Sequence, residues 1–285
     1  MCFENGYYAL SMESWMKTAV TVVAMAALWA LGSWEASGLV STRGEIGPTI
    51  LQAQSPITSV LAVLITVGVA SIVGGFVARI STTNTGMFVF GFSLLGMAMR
   101  LDGIEAFVYG EGNFYLLMFE ALFLSVLILL GTFVVYAIAG STRVPARAEQ
   151  LQPADFWKSV LISLVVIPIV YFIAISPLRG HGFGAALVGG IAVGVLSRQF
   201  VPNVRPMVFY ALPIAIGGVG YLVGVSTAPV TDVAIAQQQI SPLLFPMPIE
   251  YAAGVIIGVV IGLSIGVSED KLRLEIKVTQ GSGRT

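Results

Sequence analysis

Residues 114–139 read FYLLMFEALFLSVLILLGTFVVYAIA, with a single formal charge at Glu120. A membrane-crossing helix needs roughly 20 apolar residues, and this run exceeds that. It is apolar continuously rather than alternately, which excludes the strand of a lipid-facing barrel. A carboxylate in hydrocarbon costs a few kcal/mol, about 2.5–3.5 on insertion scales, so Glu120 calls for a partner or a task. The run at 243–266 carries Glu250 at a matching place, about a quarter of the way in.

Six further apolar runs surround these two, at about 16–34, 57–80, 86–101, 157–175, 182–200 and 207–224. The third run in chain order is short and the sixth is glycine-rich, so either fits a tilted or re-entrant segment. The whole chain of 285 residues is 56% hydrophobic and 10% charged, with a mean hydropathy of +0.91. A soluble domain carries about 25% charged residues, so most of this chain must face lipid or other buried helices. A net charge of −1 argues against nucleic acid as a partner. Cys2 is the sole cysteine and His181 the sole histidine, so no intrachain disulfide or Cys/His metal cluster can be drawn. No cofactor is expected.

Lysine and arginine set the orientation. With eight spans and a cytoplasmic N-terminus, the cytoplasmic side takes all of the 14 basic residues except Arg43, Arg100 and Arg179. That bias favours an even number of spans with both termini inside, in the cytoplasmic membrane of a prokaryote. The polar stretch 143–156, with Arg143, Pro145, Arg147 and Glu149, divides the chain near its middle.

The two halves match. Ile72, Gly75, Arg79, Asn84, Val89 and Phe90 correspond to Ile191, Gly194, Arg198, Asn203, Val208 and Phe209, each pair separated by 119 positions. The first and fifth runs both open on Trp and Lys, at Trp15–Lys17 and Trp157–Lys158, and Glu120 aligns with Glu250. The expected fold is therefore an all-α integral membrane bundle of about eight helices, built as two parallel four-helix repeats. Four spans per half keep both halves in one orientation, with the repeat axis along the membrane normal. The expected organisation is a flexible leader at 1–11, a first repeat at 12–142, a linker at 143–156, a second repeat at 157–266 and a cytoplasmic tail at 267–285. Residues 16–34 also fit a signal peptide, but their counterpart at 157–175 is internal, so the first run is kept as a span.

Glu120 and Glu250 are the candidate ion- or proton-binding residues. At 1.5 Å per residue both lie roughly 10 Å below the outer surface, and symmetry would put them at one depth. Two carboxylates facing each other resist ionising together. The competing readings are hydrogen bonding within each half, or a salt bridge to Arg100 or Arg179. Arg100, Asp102, Arg179 and His181 are candidates for an outer vestibule. Arg79 with Asn84, and Arg198 with Asn203, read as topology anchors at two tight hairpins.

Gly254, Gly258, Gly262 and Gly266 recur every four residues, and Gly190 and Gly194 continue a similar row in the sixth run. Such rows let helices approach closely. They suit packing of these two spans on each other, a homo-oligomer, or docking on other membrane subunits. Pro168, Pro213, Pro246 and Pro248 interrupt spans of the second half only. No P-loop, HExxH or GxSxG occurs, so an enzyme is not expected. Two functions from different classes remain: a small transporter or channel with a responsive carboxylate pair, or a non-catalytic subunit that scaffolds a larger complex in the lipid bilayer.

Overall fold

The computed structural model describes residues 4–41, 44, 46–140, 153–202, 204–228, 230–237 and 239–282, with the side chains of all of these except 4–13, 153, 179, 232, 236 and 266–282. Its regular elements are all helical. In chain order they are α1 (Glu4–Glu35), α2 (Pro56–Ile80), α3 (Thr83–Ala98), α4 (Ile104–Tyr109), α5 (Phe114–Ile138), α6 (Pro153–Leu164), α7 (Val166–Ile173), α8 (Arg179–Phe200), α9 (Met207–Thr227), α10 (Asp232–Ala236) and α11 (Pro248–Ser282). The backbone of residues 4–11, expected as a leader, is helical. Most of the expected linker lies outside the described residues.

Among the described residues, seven helices are long and apolar enough to cross a membrane: Ser14–Gly38, Pro56–Ile80, Phe114–Ile138, Ala154–Ile173, Gly180–Phe200, Met207–Thr227 and Pro248–Ile265. The chain is thus a polytopic, all-α integral membrane protein in contact with lipid. The remaining apolar run forms α3, a helix of 16 residues. Its length of about 24 Å falls short of a hydrocarbon core of about 30 Å. This helix is buried rather than lipid-facing, enclosed by α1, α2 and α11. The glycine-rich sixth run is an unbroken helix, α8.

Two ends of the bundle differ. One end holds the tight α2–α3 turn at Ser81 and Thr82, and is called here the hairpin end. The other holds the long connections at 39–55 and 228–247, and is called the loop end. The first of these closes on itself through a Val40–Ile46 bridge and a Gln54 N–H to Val40 C=O bond of 2.7 Å. Its residues 47–50 are buried. The second dips back as a 3-10 turn at Pro242–Leu244, with Ile240, Leu243, Leu244, Phe245 and Met247 all buried.

Small residues set the helix contacts, as expected where lipid gives no hydrophobic drive to association. α11 lies along α8. A Cβ added at Gly190 would stand 2.6 Å from the Val255 carbonyl oxygen, and one at Gly194 would stand 2.6 Å from that of Val259. From the other side, a Cβ at Gly258 would meet Gly190 Cα at 3.0 Å, and one at Gly262 would meet Gly194 Cα at 3.0 Å. Gly254 packs on Ala186. The α1–α3 crossing repeats the device, with Ser33 Oγ donating to Gly96 C=O at 3.0 Å.

Part of the pairing pattern repeats between the halves, although α2 packs closely on α3 while α8 and α9 barely meet. α1 packs on α3, and α6 with α7 on α9; α2 lies along α5, and α8 along α11; α3 faces α11, and α5 faces α9. The prolines do different jobs. The fifth span breaks at Val165, between α6 and α7, three residues before Pro168. Pro213 sits within a continuous α9, where Ser125 Oγ donates to the Ala211 carbonyl at 2.9 Å and Tyr251 Oη to that of Pro213 at 3.4 Å.

Backbone-to-backbone contact leaves α8 and α11 no room for even one methyl. Gly258→Ala is expected to cost about 1–3 kcal/mol, the usual range for overpacking, in thermal unfolding of the detergent-solubilised chain. Gly68→Ala is the control, because a Cβ there meets nothing within 4 Å, and it should stay within about 0.5 kcal/mol.

Candidate functional site

Helix α5 opens where its sequence says it should. Asn113 is the N-cap, with its side-chain oxygen accepting the Tyr115 N–H at 3.0 Å. The register then puts Glu120 on the inward face with Leu117, Ala121 and Leu124. Its carboxyl is fully buried and touches the 39–55 connection. Oε1 accepts the Ile50 N–H at 2.6 Å, and the Leu51 N–H faces the same group. Oε2 is buried with no hydrogen-bond partner. One residue further, Gln52 clamps the helix start: its Oε1 accepts the Asn113 N–H at 2.5 Å and its Nε2 donates to Asn113 C=O at 3.2 Å.

The local structure before Glu250 differs from what its sequence setting suggests. The run from Leu243 reads as continuous helix, which would place the carboxyl well inside a span. The helix in fact begins at Pro248, so Glu250 occupies its first turn. Pro246 and Pro248 do not break a helix but start one, since Pro at the first helical position gives up only an N–H that has no intrahelical partner. Oε2 accepts the Met247 N–H at 3.3 Å, the returning half of a capping box. Oε1 accepts the Phe183 N–H at 2.9 Å from the start of α8. The carboxyl therefore sits at two helix N-termini, where negative charge is favoured. Gly182 makes room for it, because a Cβ there would stand 2.9 and 3.0 Å from the two carboxyl oxygens.

The two carboxyls flank one turn of α9. Gly218 admits α5, with a would-be Cβ 3.2 Å from Ala121 Cβ and 3.2 Å from Met118 O; Gly217 admits the Tyr251 ring of α11. Tyr221, one turn along α9, is buried within electrostatic range of both Glu120 and Glu250. Its hydroxyl donates to the Pro246 carbonyl at 2.7 Å. Each glutamate binds backbone amides from its own half, and neither carboxyl hydrogen-bonds the other in the described contacts. Glu120 and Glu250 thus share a level and a neighbour.

The other candidates scatter. Arg100 is exposed at the end of α3 and makes no ion pair with Glu120 among the described residues. The Asp102 N–H donates to Ile46 C=O at 3.3 Å. The exposed His181 bonds through Nδ1 to Ser176 Oγ at 2.5 Å. Gly103 lies close to Pro177, so these residues do share the loop end. Arg179 has its side chain outside the described set. At the hairpin end Arg79 is exposed, Arg198 is half-buried, and Asn84 Nδ2 reaches Ser264 Oγ at 3.5 Å; Asn203 lies outside the described residues. No group of three or more His, Cys, Asp or Glu among the described residues could hold a metal ion.

Gly190, Gly194, Gly254, Gly258 and Gly262 are brought together on the α8–α11 seam, within one chain. Gly266 belongs to α11 beyond the last described contact of that seam. Sequence reasoning did not single out Gln52, Gly217, Tyr221 or Tyr251. The adjacent Gly217 and Gly218 were a usable signal, because two glycines in one apolar helix open two faces at one level. A tyrosine inside an apolar run was another, since its hydroxyl must find a partner when buried.

Comparisons of the chain with protein-family models, curated proteins and solved structures find no match.

The amide contacts make separable predictions. Glu120→Gln keeps an acceptor for Ile50 and should fold, losing less stability than a variant without one. Glu120→Leu strands the buried N–H, at a cost of about 1–3 kcal/mol. Thermal unfolding in detergent measures both, and amide exchange at Ile50 should quicken only in the leucine variant. Gly182→Ala should mimic the loss at Glu250 by forcing the carboxyl off the Phe183 N–H, again by about 1–3 kcal/mol.

Proposed function

We propose that the chain is a small membrane transporter or channel of two four-helix repeats, in which Glu120 is a proton- or cation-responsive latch on the 39–55 connection. The carrying observation is the unpartnered, fully buried Oε2 of Glu120. A carboxyl with one satisfied and one orphaned oxygen needs a proton or a cation to complete it, because an isolated buried charge is costly. Losing that occupant changes the charge at the point where a non-helical segment enters the bundle. A bistable connection biased by a local charge is a common form of molecular switch.

Glu250 is the repeat mate in this reading. Both carboxyls accept amides near the entry to the second helix of their own half, and both flank the Gly217–Tyr221 turn. The paired contacts α1–α3 with α6/α7–α9, α2–α5 with α8–α11, and α3–α11 with α5–α9 support a two-fold relation between the halves. Four spans in each half, α3 counted as the third, give parallel repeats with both termini cytoplasmic. The loop end then faces outward, with the Arg100, Asp102, Arg179 and His181 region as its vestibule. A scaffold subunit that docks through its glycine rows is disfavoured, because α8 and α11 fill each other's rows within the chain.

Two measurements test this. In proteoliposomes, wild-type protein should pass protons or monovalent cations at a rate that changes with pH. Glu120→Gln should lower that flux at least tenfold or make it insensitive to pH, and unchanged flux in the Glu120→Gln, Glu250→Gln double variant overturns the reading. For orientation, single cysteines at positions 43 and 100, in a Cys2→Ser background, should react with an impermeant thiol reagent from the outside only. A cysteine at position 79 should react from the inside only.

A further inference from the structure

A lateral groove of about 460 Å³ opens at the loop end between α7, α9 and residues 239–243. Its origin lies in the sequence. Pro168 cannot donate to the carbonyl one turn back, the fifth span breaks at Val165, and the short α7 that follows packs against the Pro242–Leu244 turn. Tyr171 and Phe172 edge the groove and are exposed, Phe172 by 75%. Both belong to a span that faces lipid, so the groove opens sideways into the bilayer.

The lining is mostly apolar. Pro168 and Val223 line it with exposed apolar surface, and Gln239 and Ser241 bring polar groups to the same wall. Ser241 is 5% exposed and its hydroxyl has no hydrogen-bond partner. Among the described residues no charged side chain lines the groove. A ligand here has an apolar body and an uncharged acceptor at one end, and its charge, if any, lies beyond the groove. Water takes about 30 Å³ in the liquid and a methylene is of similar size, so the groove holds a chain of roughly 15 carbons. The volume also falls within the range of about 300–1,000 Å³ typical of ligand sites.

We propose that this groove is a binding site for one acyl chain of a bilayer glycerophospholipid, whose ester carbonyl accepts a hydrogen bond from Ser241. The bond requires the Ser241 hydroxyl, buried as it stands, to rotate toward the groove. The glycerophosphate then lies at the membrane surface, past Gln239. The bound lipid fills the space that the broken fifth span leaves beside α9, the helix that both glutamates flank. The assignment rests on the groove alone and stands whether or not the chain transports anything.

The test uses the full chain in nanodiscs of phosphatidylcholine, with a small share carrying a diazirine on the acyl chain. After extraction into mild detergent and washing, photolysis and peptide mapping read which lipid is retained. Retained label should concentrate on the peptides with Pro168–Phe172 and Val223, at least fivefold above the lipid-facing Ile65–Ile72 surface of α2. Val223→Trp should cut groove label about tenfold, and Ser241→Ala about fivefold, the weight of one ordinary hydrogen bond. Label spread evenly over both surfaces overturns the proposal, as does label indifferent to Val223→Trp in a folded variant. Displacement of the phospholipid by an isoprenoid quinone probe overturns the choice of occupant. If Val223→Trp does not fold, the wild-type distribution and Ser241→Ala decide the matter.

Discussion

A buried stretch of chain that is not helical must find partners for its amides and carbonyls without water. Within a bilayer this constraint is absolute enough that irregular backbone survives only where protein encloses it. Two such stretches enter this bundle, 47–51 and 240–247, and each ends on side chains that answer its polar groups. Glu120 takes the Ile50 amide, Gln52 takes both polar groups of Asn113, Tyr221 caps the Pro246 carbonyl, and Glu250 takes Met247 and Phe183. Without them the loop end would expose unpaired backbone to hydrocarbon. The inward positions of α5 and α11, and the glycines that let them press on α9, follow from keeping those contacts closed.

The choice of a carboxyl at 120 is informative because the same connection contains the neutral alternative. Gln52 holds Asn113 with an amide that carries no charge and leaves neither polar atom idle. An amide at 120 could likewise accept the Ile50 N–H. A carboxyl there makes the same bond and leaves one oxygen without a partner; an amide would leave its NH2 unpaired in the same place, but only the carboxyl can be completed by taking up a proton or a cation. Glu250 presents a different balance, because both of its oxygens are engaged and it stands at two helix N-termini that favour its charge. Of the two glutamates, the first carries the stronger argument for a role beyond structure.

Much of this was legible in the residues. The run at 114–139, with Asn113 before it, specified α5 almost to its ends, and the helix register then fixed Glu120 inward. The spacing of Gly254, Gly258 and Gly262 specified a face bare of side chains, and Gly190 and Gly194 supplied its match. The start of the helix that carries Glu250 differs from the sequence expectation for a definite reason. Residues 243–247 are as apolar as the helix that follows, because they too are buried, and hydropathy cannot distinguish a buried turn from a buried helix. The prolines at 246 and 248 held the answer as helix-start signals. The short α3 posed the opposite problem: an apolar run below spanning length reads as marginal when its neighbours, α1, α2 and α11, are what shield it. The Tyr221 bridge depends on contacts between distant helices, which no single run reveals.

The arrangement around α9 bears on whether the two carboxyls can act together. Each carboxyl makes its described hydrogen bonds to backbone amides of its own half, so the described contacts give no direct route between them. Mechanical coupling has a clearer route. α9 is pressed from two sides at adjacent glycines, by α5 beside Glu120 and by the Tyr251 ring beside Glu250. Close-packed interfaces of this kind tend to hold discrete arrangements rather than deform smoothly. A shift of α5 that followed a change at Glu120 would move Gly218, and with it Gly217 and the Tyr221 bond to Pro246. The helix start that carries Glu250 hangs on that bond, so α9 is the element through which one half would register the state of the other.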